Sequence, residues 1–341
     1  MKAARRFWKS ANQTSRRIAG RPGRGLLQRV VAGEGGKDIV MLQSVTIWYR
    51  AIRPFTLSAA LVPVIVGSTL ATQYGVFDWF LFLLVLLGSV LVQCGTNLTD
   101  EYADHRRGKG AEHKVQAPYK VIALGLLTPA AVRRGAMMCF GIAALIGVYL
   151  VSRTNWPLVL VCLASVGVAY GYSAGPLPLG NVGLGEPLVF LFMGPVMVLG
   201  SFYVQVQMLS WAAVWLSVPV GCLVTAILVA NNLRDAEEDR HSGKRTLVAL
   251  WGHQRVAWLF CLLLLVAFGT LPILALHGVV PWVGLLPFLL VLPQSWTLTS
   301  LVRHGTARAV LHQALRGTAQ LHLRFGLLLT LAVSPALAWW R

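Results

Sequence analysis

Nine long apolar runs alternate with shorter polar segments along the 341-residue chain. Each run has about 20 residues, the length that a helix needs to cross the hydrocarbon core of a bilayer. Open strands would leave their backbone groups unpaired in lipid, so the runs are predicted to be helices. The predicted spans are 55–75, 79–98, 135–152, 156–173, 184–204, 210–231, 256–276, 280–302 and 322–340.

The composition supports this interpretation, because 56% of the residues are hydrophobic and only 12% are charged. In a soluble globular domain about a quarter of the residues are normally charged. We therefore expect an all-α, polytopic membrane protein with nine transmembrane helices in a bundle. Residues 46–341 are expected to form this domain, and residues 1–45 a basic, disordered N-terminal arm or extension.

The net charge of +18 first suggests a nucleic-acid partner, but the distribution of the charges favours another explanation. If the N-terminus is cytoplasmic, 28 of the 30 Lys and Arg residues fall on one side, and only Arg153 and Arg341 fall opposite. The positive-inside rule then places the N-terminus in the cytoplasm and the C-terminus across the membrane. We expect a multi-pass protein of the cell inner (plasma) membrane, in contact with anionic lipid and not with nucleic acid.

The N-terminal arm allows three interpretations. Residues 1–33 carry nine Lys or Arg and no acid, and no apolar segment of a secretory signal follows them. The arm could lie on anionic lipid, act as a transit-like sequence, or precede a true translation start at Met41. None of the three gives the arm a catalytic role.

Two short clusters hold eight of the 12 Asp and Glu residues, at 100–112 and 235–239. Each follows an apolar run on the same predicted side, begins after an Asn, and is followed by basic residues. Acids four apart on a helix share a face and repel one another. A single cluster would suit a solvated helix end, but two matched clusters in a chain poor in acid favour a cation site.

Carboxylate and amide oxygens are hard ligands of the kind that Mg²⁺ prefers. The five cysteines are scattered through apolar segments without CxxC spacing, which indicates packing residues and disfavours zinc. Mg²⁺ is commonly shared between carboxylates and phosphate oxygens. The nearby Arg and Lys residues would suit the remaining oxygens of a diphosphate. "GKRT" at 243–246 is not a P-loop, because Glu238 stands where that motif needs glycine.

A diphosphate site in a membrane suggests a lipid diphosphate as substrate. If the lipid chain is allylic, metal-assisted loss of diphosphate leaves an allylic cation. Fixed charges in a site of low dielectric would stabilise the separating ions. The cation then needs a nucleophile and protection from water.

These motifs resemble those of the UbiA superfamily of intramembrane aromatic prenyltransferases. Members carry an NxxxDxxxD-type motif after helix 2 and a DxxxD motif after helix 6 of a nine-helix bundle. "NLTDEYAD" (97–104) and "NNLRDAEED" (231–239) match in type, order and helix position. The resemblance runs from about Trp48 to the C-terminus, and implies that cytoplasmic loops 2–3 and 6–7 cap the active site.

Within the superfamily the chain most resembles the branch that prenylates 1,4-dihydroxy-2-naphthoate in menaquinone biosynthesis. The stretches "RPFTLSAALVPVIVG" (53–67), "GLGE" followed by "VFLFMGP" (183–195) and "NNLRDAEEDRHSGKRTL" (231–247) carry this resemblance. The branch usually has Asn where this chain has Asp100, and often has an Asp just past Gly108, where this chain has "KGA". The 4-hydroxybenzoate branch often has a basic residue soon after the tyrosine of helix 4, which is absent here.

The resemblance also implies roles for individual residues. The residues expected to bind Mg²⁺ and to be catalytic are Asp100, Glu101, Asp104, Asp235 and Asp239. Those expected to bind substrate are Asn97, Asn232, Arg234, Lys244, Arg245, Lys120, Arg53 and Tyr172. Arg53 would take the carboxylate of the aromatic acid, or would only anchor helix 1 at the interface.

Three further positions have more modest interpretations. Tyr172 would line the pocket, or would act only as an interfacial anchor. Glu186 stands at the start of predicted helix 5, where the helix dipole explains a negative charge. His322 is expected to cap or pack at the start of helix 9.

The function expected from the resemblance is Mg²⁺-dependent transfer of a polyprenyl chain from polyprenyl diphosphate to 1,4-dihydroxy-2-naphthoate. CO₂ and diphosphate would leave, giving demethylmenaquinone. An alternative is a UbiA-type enzyme that acts on another aromatic acceptor, such as 4-hydroxybenzoate or homogentisate. A CDP-alcohol phosphotransferase is disfavoured because its DG-containing motif is absent. A divalent-cation transporter is disfavoured because it would place acids near mid-membrane.

Overall fold

The computed structural model describes residues 44–107, 119–175, 178–241 and 243–335. The chain divides into two units at Trp48 and Tyr49, and the fold described below belongs to the second unit. Within the described ranges every regular element is helical and there is no strand, which confirms the all-α prediction. Nearly all of the predicted arm, and Glu112 of the first acidic cluster, lie outside these ranges.

From Ser58 onward, the described part of the second unit contains ten helices. They are α1 (Ser58–Ala71), α2 (Trp79–Arg106), α3 (Pro129–Arg153), α4 (Pro157–Ser173), α5 (Gly185–Val206), α6 (Trp211–His241), α7 (Leu247–Trp251), α8 (His253–Leu276), α9 (Leu292–His304) and α10 (Arg308–Val333). A π-helical turn at Phe192–Val196 interrupts α5, and a 3₁₀ segment at Trp282–Leu290 precedes α9.

Six segments of the described chain are long and apolar enough to cross a membrane: α1 with its flanking 3₁₀ turns (Pro54–Tyr74), α2, α3, α5, α6 and α8. A seventh is counted if Trp282–Leu290 and α9 form one span, although they are bent by 49°. The run predicted as one helix at 280–302 is therefore broken. Pro293 at the start of α9 explains the break, because proline lacks the backbone donor that would continue the preceding helix.

By length and composition, the described residues thus support six or seven of the nine predicted spans, which agrees with a multi-pass membrane protein. The remaining predicted runs differ in detail. Helix α4 is apolar but has only 17 residues. Helix α10 begins at Arg308, well before the predicted start at 322, and its first half carries polar residues.

Helices α2 and α6 continue past their predicted ends at 98 and 231, so both acidic clusters lie on helices. Apolar periodicity stops at these points, but the helical hydrogen bonds continue because cations from other segments pair with the acids. Asp78 starts α2 by accepting hydrogen bonds from the backbone nitrogens of Phe80 and Leu81.

The helices run alternately between two ends of the bundle. At one end, which we call the acidic end, Asn97 of α2 donates to the backbone oxygen of Ile52. At the opposite end, Gln205 of α5 bonds the backbone of Asp78, and the Gln73 amide donates to the backbone oxygen of Val333. The start of α1 and the end of α2 therefore lie together, far from the end of α10.

Helix α6 is the centre of the bundle and packs against α1, α5, α8 and α10. Its contact with α5 is close, since a Cβ added to Gly194 would lie 2.7 Å from the Cα of Gly221. Small residues let membrane helices approach at this range. Large apolar side chains such as Phe80, Leu145 and Leu163 are exposed on α2, α3 and α4, as expected for surfaces that face lipid.

Candidate active site

A cavity of about 670 Å³ runs from the acidic end into the bundle. Its inner walls are apolar side chains of α2, α3, α4 and α5, and its outer wall is charged. Of the thirteen residues predicted to form the site, all but Glu101 and Arg245 line this cavity. The structure therefore brings residues from both motifs to one chamber.

The first motif is held by cations from outside its own helix. Asp100 forms an ion pair with Arg53 at 2.8 Å and accepts a hydrogen bond from the Ser173 hydroxyl at 3.2 Å. Asp104 is buried and pairs with the ammonium of Lys120 at 2.7 Å. The additional carboxylate at position 100 is thus balanced by Arg53.

Glu101 points away from the cavity. It is 2% exposed, and its Oε1 accepts a hydrogen bond from the backbone nitrogen of Ile122 at 3.1 Å. Its other oxygen lies 3.3 Å from the Lys120 ammonium. Glu101 therefore fixes the 120–122 segment against α2, a position that suits a structural anchor better than the predicted metal ligand.

The second motif carries a similar set of ion pairs. The Arg234 Nε donates to Asp235 at 2.8 Å, and Arg308 lies 3.7 Å from the same carboxylate. Arg308 also pairs with Glu238. Arg308 was not predicted from the sequence, although a cation in the first turn of a helix opposes the helix dipole and thereby indicates an acidic partner.

Lys244 joins the two motifs. Its ammonium lies 3.5 Å from Asp104 and 3.4 Å from Asp239. The neighbouring Arg245 is exposed and lies outside the cavity wall, and only its backbone nitrogen is fixed, by the Asn181 oxygen at 2.9 Å. The structure thus brings Lys244 to the predicted site but not the Arg245 side chain.

Tyr119 is a second residue that was not predicted from the sequence. The Arg53 guanidinium stands over its ring, 4.9 Å from the centroid, and the Tyr119 hydroxyl lies 3.2 Å from Arg234. The ring therefore contacts one arginine from each side of the site. In the sequence, only its position next to Lys120 indicates that Tyr119 could belong to the site.

The backbone of Arg53 is strained, with φ 54° and ψ 67°. A left-handed conformation is uncommon for a residue other than glycine, and such strain concentrates at functional sites. The Arg53 oxygen accepts a hydrogen bond from the Thr56 hydroxyl at 2.9 Å, which helps to hold this conformation. It directs the guanidinium toward Asp100 and Tyr119.

The lysines of the site remain protonated. Burial lowers the pKa of Lys244, but the negative charges of Asp104, Asp100 and Asp239 outweigh it, and the net shift is upward. In Lys120 burial is also the largest influence, and the acids of the first motif again raise the pKa overall. Both ammonium groups therefore offer fixed positive charge to an anionic substrate across neutral pH.

Tyr172 fits closely between two glycines. A Cβ added to Gly180 would lie 2.7 Å from its ring, and one added to Gly185 would lie 3.0 Å from its hydroxyl. The ring lines the cavity. Tyr172 therefore lies on the cavity wall, and its contact with a substrate stays a prediction.

The donors of the site fit a hard divalent cation. Among the residues that the structure describes, no three His, Cys, Asp or Glu side chains are grouped as a metal centre. Mg²⁺ does not need such a group, since it commonly takes one or two carboxylates together with waters and substrate phosphates. The carboxylates of Asp100, Asp104, Asp235 and Asp239 all reach the cavity wall, where a diphosphate could share them.

Comparison with known proteins decides the family. The model of the UbiA prenyltransferase family matches residues 60–340. The chain belongs to the UbiA prenyltransferase family. It is therefore a prenyltransferase, and the family resemblance inferred from its motifs is confirmed.

Curated relatives within this family share about a third of their residues with the chain. The 1,4-dihydroxy-2-naphthoate octaprenyltransferase of Bacillus subtilis is 33% identical over 288 residues, 84% of this chain and 92% of that protein. The protein of the same name from Escherichia coli is 30% identical over 287 residues, 82% of this chain and 93% of that protein.

Solved structures of other family members share the fold at low sequence identity. The apo UbiA homolog from Aeropyrum pernix has a TM-score of 0.63 at 13% identity, covering 81% of this chain and 97% of that chain. The UbiA homolog from Archaeoglobus fulgidus bound to DMAPP and Mg²⁺ has a TM-score of 0.57, also at 13% identity, covering 83% and 98%.

Proposed function

We propose that this UbiA family member transfers a polyprenyl chain from its diphosphate to 1,4-dihydroxy-2-naphthoate. The observation that carries the proposal is the meeting of two acidic motifs and their cations at the mouth of one apolar cavity. The relatives named for the same transfer supply the acceptor.

The charged end of the cavity suits a diphosphate. Asp100, Asp104, Asp235 and Asp239 would hold Mg²⁺, with Asn97 and Asn232 adding amide oxygens. When bound, the metal would neutralise the diphosphate and favour its departure. Lys120, Lys244 and Arg234 would take further phosphate oxygens through charge-assisted hydrogen bonds.

The apolar part of the cavity suits the prenyl tail. Its walls come from α2, α3, α4 and α5, and the outer surfaces of these helices carry exposed apolar side chains. A tail between these helices would remain in contact with lipid, while the allylic carbon would stand below the charged mouth. The apolar walls also exclude water that would quench the allylic cation.

The acceptor would enter between Arg53 and Tyr172. The guanidinium suits a carboxylate, and the Tyr119 ring beside it suits an aromatic acid. The ring carbon that bears the carboxylate attacks the allylic carbon as the bond to diphosphate breaks. The bond to the carboxyl carbon then breaks, CO₂ leaves, and demethylmenaquinone forms in its quinol state.

The membrane orientation is part of the same proposal. The acidic end, with its Lys and Arg residues, would face the cytoplasm according to the positive-inside rule. The loops that contribute Lys120 and Lys244 would cap the site from that side. The site would then open to the cytoplasm, from which the water-soluble aromatic acid and Mg²⁺ could enter it.

The test is a transfer assay with the full-length chain purified in detergent. The protein is incubated with Mg²⁺, a polyprenyl diphosphate and a panel of aromatic acids, and the products are identified by mass spectrometry. We expect a prenylated naphthoquinol from 1,4-dihydroxy-2-naphthoate, none with EDTA, and loss of product in Asp104→Ala and Asp235→Ala. Product from 4-hydroxybenzoate or homogentisate alone would support the other acceptor, and full activity of both variants would rule out the metal site.

A further inference from the structure

Each acidic motif contains a buried asparagine whose side-chain nitrogen is held by hydrogen bonds to neighbouring groups. The Asn97 Nδ2 donates to the Ile52 backbone oxygen at 2.7 Å and to the Thr56 hydroxyl at 2.9 Å. The Asn232 Nδ2 donates to Glu186 Oε1 at 3.0 Å. Both asparagines are 6% exposed and line the cavity.

The chemistry of the partners fixes these orientations. A backbone carbonyl or a carboxylate oxygen accepts hydrogen bonds, so it must face the amide nitrogen and not the amide oxygen. The Thr56 hydroxyl already donates its proton to the Arg53 oxygen at 2.9 Å, and it therefore accepts from Asn97. The Asn97 oxygen accepts a hydrogen bond from the Gln93 amide at 3.4 Å, whereas the Asn232 oxygen is left for the cavity.

Glu186 itself does not line the cavity. It is 3% exposed, it lies in the first turn of α5, and the described structure gives its side chain one hydrogen-bond partner, Asn232. The helix dipole accounts for a negative charge at this position but not for the contact with α6. That contact is secured by the close approach of Gly194 and Gly221, which holds the two helices at a fixed separation.

We propose that Glu186 is a positioning residue, which takes the amide hydrogen of Asn232 and thereby directs the Asn232 carbonyl oxygen to the divalent cation and diphosphate. In the first motif, Ile52 and Thr56 hold the Asn97 nitrogen, and Gln93 contacts its oxygen. The Asn232 amide is thus oriented by a buried carboxylate, whereas the Asn97 amide is held by neutral groups.

This inference rests on the proposed function for the identity of its ligands, but its test does not need prenyl transfer. Mn²⁺ serves as the probe, and its binding to the full-length chain in detergent is measured by electron paramagnetic resonance with inorganic diphosphate present. Outer partners of metal ligands typically contribute about 10- to 100-fold to metal affinity. We expect Glu186→Leu to weaken Mn²⁺ binding by about this factor.

Two variants separate positioning from mere packing. Glu186→Gln keeps an oxygen that can accept from Asn232, and it should bind Mn²⁺ within about threefold of the unmodified protein. Thr225→Val is the matched control, because Thr225 is buried on α6 and donates one hydrogen bond, to the Gly221 oxygen, away from the cavity wall. It should leave Mn²⁺ binding unchanged.

If Glu186→Leu does not fold, the test can use a double variant in which the carboxylate and the amide exchange places, Asn232→Asp with Glu186→Gln. Asn232→Asp alone places two carboxylates against each other and should weaken Mn²⁺ binding. Adding Glu186→Gln supplies an amide donor to the new carboxylate, and about tenfold of the loss should return.

Several results would overturn the proposal. They are unchanged Mn²⁺ binding in Glu186→Leu, equal loss in Glu186→Gln and Glu186→Leu, equal loss in Thr225→Val, or no recovery in the double variant. Failure of the transfer reaction with these binding effects intact would instead count against the proposed function. Mn²⁺ binding thus tests the role of Glu186, and the transfer reaction tests the proposed function.

Discussion

Asp104 and Asp239 both contact the ammonium group of Lys244, at 3.5 and 3.4 Å, although they are 135 positions apart in the chain. The loop that follows α6 therefore places a positive charge between the two acidic motifs. The Lys244 ammonium would bind directly to a diphosphate held between these motifs.

Removal of the Lys244 charge should weaken diphosphate binding. A charge-assisted hydrogen bond contributes roughly 1.5–3 kcal/mol, so Lys244→Met should lower kcat/KM for the prenyl diphosphate by about 10- to 100-fold. Lys244→Arg should retain part of the activity because it keeps the charge. Arg240→Met is the control, since Arg240 is exposed on the same helix end and outside the cavity wall; an equal loss there would point to general surface charge.

The ion pair between Arg53 and Asp100 should appear as energetic coupling. Asp100→Asn removes the charge that Arg53 neutralises but keeps a side-chain oxygen that could bind Mg²⁺, as the Asn usual in the resembling branch would, so transfer should stay within about threefold. Arg53→Met leaves the Asp100 charge unbalanced and should cost more than it does in an Asp100→Asn background. We expect a coupling of about 1 kcal/mol in a double-mutant cycle of kcat/KM; additive effects would contradict the pairing.

Glu101 should act on stability more than on metal binding. Glu101→Gln weakens the attachment of Lys120 and Ile122, and we expect it to lower the free energy of unfolding by about 1–3 kcal/mol. The loss should appear in thermal unfolding with EDTA present. Glu237→Gln, at an exposed position on α6, should have no effect. A stable Glu101→Gln protein that no longer responds to Mg²⁺ would restore the metal-ligand role.

The deep part of the cavity should limit the length of the prenyl tail. Gly200 on α5 lines the cavity, and a Cβ added there meets no atom within 4 Å, so a larger side chain would enter open space. Gly200→Phe should lower kcat/KM for long prenyl diphosphates by about tenfold or more relative to geranyl diphosphate, since lost apolar contact costs about 0.8 kcal/mol per CH₂.

The matched control for Gly200→Phe is Gly269→Phe on α8. Gly269 is exposed, also has free space at its Cβ, and lies outside the cavity wall. Its product lengths should match those of the unmodified protein. The same preference for long and short tails in both variants would place the tail elsewhere.

The sequence alone determined the class of the protein and its family. A bilayer demands long apolar helices, so composition and run length were sufficient to predict an all-α membrane protein. The acids stand out because the rest of the chain has so few, and their spacing, order and surroundings were sufficient for the family resemblance. These are local properties that each segment carries by itself.

Only the tertiary structure decided which side chains meet. Consecutive residues on a helix point about 100° apart, so Asp100 faces the cavity while Glu101 faces the protein interior, and no motif distinguishes them. Arg308, Tyr119 and Glu186 reach the site through helix packing between distant segments, which leaves no local periodicity in the sequence. The sequence could therefore suggest the motif acids and the cations Arg53, Lys120, Arg234 and Lys244. Which of these side chains pair, the additional cation Arg308, and the partner that orients Asn232 depended on the three-dimensional arrangement of the helices.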